Sequence, residues 1–129
     1  MLHHVEINVS DLKVARLFWD DLLERLGYTL YSEWEQGVSW IFDETYLVFV
    51  QTQDRFVDAG YHRGHTGLSH LAFHVATRAD VDGWVERFRA QGIPILYEDR
   101  HPFAGGANYY AVFAEGPDRM KIEIVAKYK

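Results

Sequence analysis

Two stretches of the chain, Leu2–Val9 (LHHVEINV) and Leu68–Val75 (LSHLAFHV), can be laid on one another so that His4 falls on His70 and Val9 on Val75. Each opens the same grammar. In the first, Val5, Ile7 and Val9 alternate with His4, Glu6 and Asn8, the period of a half-buried strand. Ser10 and Asp11 then offer a helix N-cap, and Val14, Leu17, Phe18, Leu22 and Leu26 recur at helical steps as far as Gly27. Strand-like runs follow at Tyr28–Trp34, Val38–Phe42 and Tyr46–Gln51. In the second, Thr77 and Asp80 resemble a capping box, Val81, Trp84, Val85 and Phe88 form the apolar stripe, and Gly92 closes the helix. Runs at Ile93–Tyr97, Asn108–Ala114 and Met120–Ala126 complete it.

A supersecondary unit repeated at an offset of about 65 residues is too short to bury its own sheet and helix, so the copies are expected to share one fold. The expected class is α+β: two βαβββ modules forming a curved mixed sheet, a cup with helices at about Leu12–Leu26 and Ala79–Gln91 on its outer face. Residues 1–52 make the first module, 68–129 the second, and 53–67 a polar, glycine-containing linker within a single domain. Each helix covers one face of its sheet. The opposite faces, which carry His4 and His70, are expected to line the concavity.

Composition narrows the function. With no cysteine, disulfides, thiolate ligands and cysteine nucleophiles are excluded, and cytoplasm is the default compartment. A net charge of −6 with scattered signs disfavours nucleic acid, and no apolar run suggests a membrane partner. Aromatic residues make up 16% of the chain, more than a small core needs and suited to a small-molecule pocket.

Strand parity brings a third residue to the His4 and His70 face. In Met120–Ala126, Ile122, Ile124 and Ala126 take the apolar side and leave Glu123 on the other. Two imidazoles and a carboxylate from separate strands form an N,N,O set suited to a divalent first-row metal, Fe, Mn, Zn or Ni, with positions open for substrate. His3, His62, His65 and His101 lack such placement and read as surface or hydrogen-bonded histidines.

These residues carry a family resemblance. An early-strand His followed by V-x-D-L and a helix (His4–Leu12), then a G-S-H-type strand (Gly67–Val75), then F-A-E-G-P-D-R-M-K-I-E-I (Phe113–Ile124) resembles the vicinal oxygen chelate superfamily, the glyoxalase/bleomycin resistance protein/dioxygenase family. The resemblance covers nearly the whole chain. It implies a cup of two βαβββ modules, a divalent metal held by His4, His70 and Glu123, and a substrate that chelates the metal through vicinal oxygens. Glyoxalase I members add a glutamate on the last strand of the first half. Here that position reads as Phe49, or Gln51 after a slip of one pleat, and neither is a carboxylate base. The pattern is therefore closer to the lyase, transferase and dioxygenase members with a His-His-Glu set. Arg100, Arg119, Lys121 and Lys127 lie on separate elements and form no evident phosphonate cluster.

For the chemistry, His74 sits on the cup face two pleats from His70, and Tyr109 or Tyr110 is a candidate hydroxyl acid. Asn8, Phe49, Gln51 and Phe103 are candidate pocket residues, with Trp40 and Phe42 as further aromatic walls. The Arg100–Asn108 segment, with Gly105 and Gly106, reads either as a closing lid or as an ordinary connection. The alternative function is a metal-free, antibiotic-type binding protein of the same fold. A homodimer is expected, since the cup can be completed within one chain or between two.

Overall fold

The computed structural model describes residues 1–128. The chain forms two compact units, one ending at Gly60 and the other beginning at Tyr61. The first holds β1 (His4–Val9), α1 (Leu12–Arg25), β2 (Thr29–Trp34), β3 (Gly37–Phe42), β4 (Thr45–Gln51) and a one-turn helix α2 (Asp54–Val57) inside the expected linker. The second holds β5 (His70–Val75), α3 (Arg78–Ala90), β6 (Ile95–Leu96), β7 (Ala111–Glu115) and β8 (Lys121–Ala126). The sheets have the same order, β1-β4-β3-β2 and β5-β8-β7-β6. In both, the first and last strands pair in parallel and the other pairs run antiparallel. The repeated βαβββ grammar is thus repeated topology.

In the first unit α1 starts where the Asp11 carboxylate accepts from the N–H groups of Lys13 (3.0 Å) and Val14 (3.3 Å). The face it buries is Ala15, Trp19, Leu22 and Leu23. That differs from the expected stripe: Val14 is exposed, and so is Leu17, at 81%. The sheet decides the rotation of the helix. Trp19 stacks on Phe49 of β4 at 4.7 Å, and Asp20 accepts from the Trp40 indole N–H of β3 at 3.0 Å. Turning Leu17 inward would break both contacts. Gln51 adds a bridge at the end of β4, its amide oxygen accepting from Leu12 N (2.9 Å) and its amide nitrogen donating to Ser10 O (2.8 Å). Gln51→Ala is expected to cost about 1–2 kcal/mol by leaving those backbone groups without their partner. Urea unfolding would check it, and an unchanged midpoint would mean water replaces the amide at no cost.

In the second unit Thr77 and Asp80 form the expected reciprocal capping box, with Asp80 N donating to Thr77 Oγ1 at 3.2 Å and Thr77 N to Asp80 Oδ2 at 2.9 Å. Val81, Val85 and Phe88 are the buried face of α3. The runs Ile93–Tyr97 and Asn108–Ala114 give shorter strands than their apolar patterns suggested. Tyr97 adopts a left-handed backbone (φ 58°), which ends β6. Between it and β7 the chain closes on itself through successive turns, Arg100 N to Tyr97 O, Phe103 N to Arg100 O, Gly106 N to Phe103 O and Tyr109 N to Gly106 O. Backbone groups satisfied inside the loop are not available to a ladder, so β7 begins at Ala111 and not at Asn108.

Candidate functional site

Residues directly paired across a sheet share a face, so the registers settle where each candidate points. In the second unit His70, Ala72 and His74 of β5 pair with Lys121, Glu123 and Val125 of β8, and Glu123 pairs in turn with Phe113 of β7. These residues occupy the face away from α3, since Leu71, Phe73, Ile122, Ile124 and Val112 fill the other. His70 Nε2–H donates to Glu123 Oε2 at 3.0 Å, and Ser69 Oγ lies 3.0 Å from His70 Nδ1. With Nε2 protonated, a neutral ring accepts at Nδ1 from the Ser69 hydroxyl. For Nε2 to act as a ligand the proton moves to Nδ1 and Ser69 accepts instead. Glu123 is 3% exposed, and its second oxygen, Oε1, accepts from the Tyr109 hydroxyl.

Tyr109 is therefore attached to the carboxylate. Burial, then the hydrogen bond and charge of Glu123, push its phenol up to about 12. A proton held that firmly makes a poor general acid at neutral pH. Tyr110, the other candidate acid, is a correction. Its hydroxyl donates to Asp82 of α3 at 2.6 Å, on the helix side of the sheet, because neighbouring positions on an extended chain point to opposite faces. Phe103 goes with it: it meets Tyr110 edge-on at 5.6 Å, and the Arg78 guanidinium lies 5.6 Å from its ring centre, so it anchors the loop to the start of α3 and does not line the Glu123 face. His74 is exposed on the same face as His70.

Cations missed as a group come together here. Arg100 and Lys121 lie 4.9 and 5.5 Å from the centre of the same Tyr97 ring, and Lys121 Nζ is 3.3 Å from the Tyr97 hydroxyl. Their separation in the sequence hid this convergence. Glu115, paired with Lys121 in the sheet, is engaged by Arg63 at 2.6 Å, which lowers its pKa below the ordinary carboxylate value.

In the first unit His4, Glu6 and Asn8 share a face with Tyr46, Val48 and Val50. His4 stacks on Tyr46 at 4.8 Å, and its Nδ1 lies 2.8 Å from Nδ1 of His3. Asn8 lines a polar hollow of about 510 Å³ with Glu6, Gln36 and Thr52. Phe49 is a correction, because the register pairs it with Ile7 on the helix side, where it packs against Trp19, whereas Gln51, paired with Val9, holds the start of α1 and also borders the hollow beside Asn8. Trp40 is on the helix side too, bonded to Asp20, and Phe42 shares its parity. The two parallel ladders also identify the counterpart of Glu123. Glu123 pairs with the residue two after His70, and the residue two after His4 is Glu6, which pairs with Val48. Val48, not Phe49, holds the equivalent place, and it too carries no carboxylate.

Among the described residues no group of three His, Asp or Glu side chains stands ready to hold a metal, and no helix is long and apolar enough to cross a membrane. The donor set of the second unit nonetheless fits a divalent ion. One imidazole nitrogen and one buried carboxylate oxygen stand 3.0 Å apart on the sheet face away from α3.

Comparison with known proteins agrees with this architecture. Residues 3–113 match the family described as the Glyoxalase/Bleomycin resistance protein/Dioxygenase superfamily, a match that stops short of Glu123. The chain is 50% identical over 125 residues to the Bacillus subtilis (strain 168) protein YqjT, itself uncharacterised, covering 97% of this chain and 98% of that one. A Bacillus halodurans crystal structure with a provisional glyoxalase designation superposes with a TM-score of 0.96 at 59% identity, covering 98% and 95% of the two chains. A variant of the fosfomycin resistance protein FosX from Listeria monocytogenes, in complex with Mn(II) and 1S,2S-dihydroxypropylphosphonic acid, shares the fold at a TM-score of 0.72 and 16% identity, covering 98% and 91%. Paired βαβββ units, identical strand orders and a match over most of the sequence lead to one conclusion: the chain belongs to the glyoxalase/bleomycin resistance protein/dioxygenase superfamily.

Proposed function

We propose that the protein is a divalent-metal-dependent enzyme acting on a small oxygen-rich substrate, with His70 and Glu123 as two metal ligands and His4, at the repeat-related position, as the third. The observation that carries this reading is the buried Glu123 carboxylate, whose two oxygens are met by a tyrosine hydroxyl and an imidazole N–H among the described residues. An ionised carboxylate out of water is costly unless a cation compensates it. A bound divalent ion would supply that charge and the Lewis acidity to polarise substrate oxygens. That FosX binds Mn(II) on this fold supports the same reading. Within this site His74, exposed on the His70 face, is assigned to proton transfer, and the substrate class is a molecule with adjacent oxygens. The absence of a carboxylate at Val48 favours lyase, transferase or dioxygenase chemistry over that of glyoxalase I.

A second reading, a metal-free binding protein, is favoured by the same hydrogen bond, since a protonated His70 would satisfy Glu123 unaided. Metal analysis of protein purified without a polyhistidine tag separates the two. The enzyme reading expects about one tightly held divalent ion per site, and metal-free protein that takes up none on titration overturns it.

The assembly proposed is a homodimer. All six residues of the edge strand β2 are exposed, Leu30, Tyr31 and Trp34 among them, and an apolar open edge invites a partner. Sedimentation at micromolar concentration should show a dimer, and a monomer there would remove the proposal.

A further inference from the structure

We infer that Tyr109 is a positioning residue for the metal-binding carboxylate: its hydroxyl fixes the orientation of Glu123 so that one oxygen stays beside His70, and Gly105 is glycine because the Tyr109 ring needs its space. This rests on the metal reading of His70 and Glu123. Three observations carry it independently of family. The two Glu123 oxygens are divided between partners, Oε1 taking the Tyr109 hydroxyl and Oε2 the His70 N–H. A carboxylate held this way offers a single lone-pair direction near the imidazole and cannot swing to present both oxygens. Next, a Cβ at Gly105 would lie 2.5 Å from Tyr109 Cδ1 and 3.0 Å from Cε1, so any side chain there displaces the ring. Finally, the loop bearing both residues is itself anchored. Tyr109 N donates to Gly106 O at 3.1 Å, Ala111 N to Pro102 O at 3.0 Å, and Ala104 packs on the cluster of Ala111, Phe113 and Val125. The loop thus serves as a bracket that carries a hydroxyl to the carboxylate, and its glycine has a steric purpose besides flexibility.

The neighbouring tyrosine supplies the control. Tyr110 also joins the loop to the unit by a hydroxyl–carboxylate bond, but on the helix face, with Asp82. The test is titration of metal-free protein with Mn(II), read by electron paramagnetic resonance, beside the thermal midpoint of each metal-free variant. Tyr109→Phe is expected to weaken Mn(II) binding about 10–100-fold, the usual effect of losing a hydrogen bond to a ligand. Gly105→Ala should weaken it in the same direction. Tyr110→Phe should bind Mn(II) as the wild type does, although it loses a hydrogen bond of the same kind. Wild-type affinity in Tyr109→Phe overturns the inference while leaving the metal site intact. An equal loss in Tyr110→Phe overturns it too, by showing that loop integrity alone matters. If the wild type itself binds no Mn(II), Zn(II), Ni(II) or Fe(II), the metal reading fails and this role fails with it.

Discussion

Replacing His70 by alanine is expected to abolish divalent-ion retention at the proposed His70–Glu123 site, an effect larger than the roughly 10–100-fold expected for outer-shell losses. In the proposed site the imidazole nitrogen is one of three protein donors, and no neighbouring residue on its strand can substitute: Leu71 points to the helix and His74 lies two pleats away. Alanine also strands Glu123 with Tyr109 alone, so a loss of folding could imitate a loss of binding. Glu123→Gln avoids that ambiguity. It keeps the volume and an acceptor for Tyr109 while removing the anionic donor. It should lose most of its metal with the fold retained by circular dichroism. His4→Ala should behave like His70→Ala, and His74→Asn should keep its metal while losing roughly 10²–10⁴-fold in turnover, the usual worth of a proton-transfer group. Full metal content in His70→Ala would locate the site elsewhere.

Trp19→Ala should destabilise the first unit by about 3–5 kcal/mol, the range for emptying a large buried aromatic position. Trp19 is 1% exposed and contributes the stacking contact on Phe49 that sets the rotation of α1. Leu17→Ala, two residues away on the same helix, should change stability by less than about 0.5 kcal/mol because its side chain touches mainly water. Urea unfolding followed by circular dichroism measures both. Comparable losses at the two positions would mean that α1 seats differently on its sheet.

That contrast shows what was legible in the sequence and what was not. The repeat itself was readable, because the strand openings LHHVEINV and LSHLAFHV repeat both alternation and histidine. So were the His70 and Glu123 faces, since Leu71, Phe73 and Val75 on one strand and Ile122 and Ile124 on the other mark the opposite, apolar face. The helix rotation was not. Val14, Leu17, Phe18 and Leu22 satisfy helical spacing as well as Ala15, Trp19, Leu22 and Leu23 do, and only the partner sheet chooses between them. The strand β4 misled for a related reason. Tyr46–Gln51 is apolar on both faces, so parity has no polar marker, and the longer β6–β7 connection makes the offset between modules larger at their last strands than at their first. Phe49 was placed one residue out of phase as a result. Tyr109 and Tyr110 are adjacent and chemically alike, and only the point at which the loop enters β7 tells which one meets Glu123.

The parallel pairing of β5 with β8 has a consequence for biosynthesis. His70 and Glu123 are 53 residues apart in the chain, and β8 occupies an inner place between β5 and β7. While the chain is being made, β5 and α3 emerge with their long-range partner still missing, and β6 and β7 can form at most a hairpin. Loop closure over such a span must precede the contacts that stabilise it, which slows folding. The second unit therefore consolidates only after Lys121–Ala126 has left the ribosome. Until then the edges of β5 and β7 that β8 comes to occupy lack their partner and stay open to misplaced pairing.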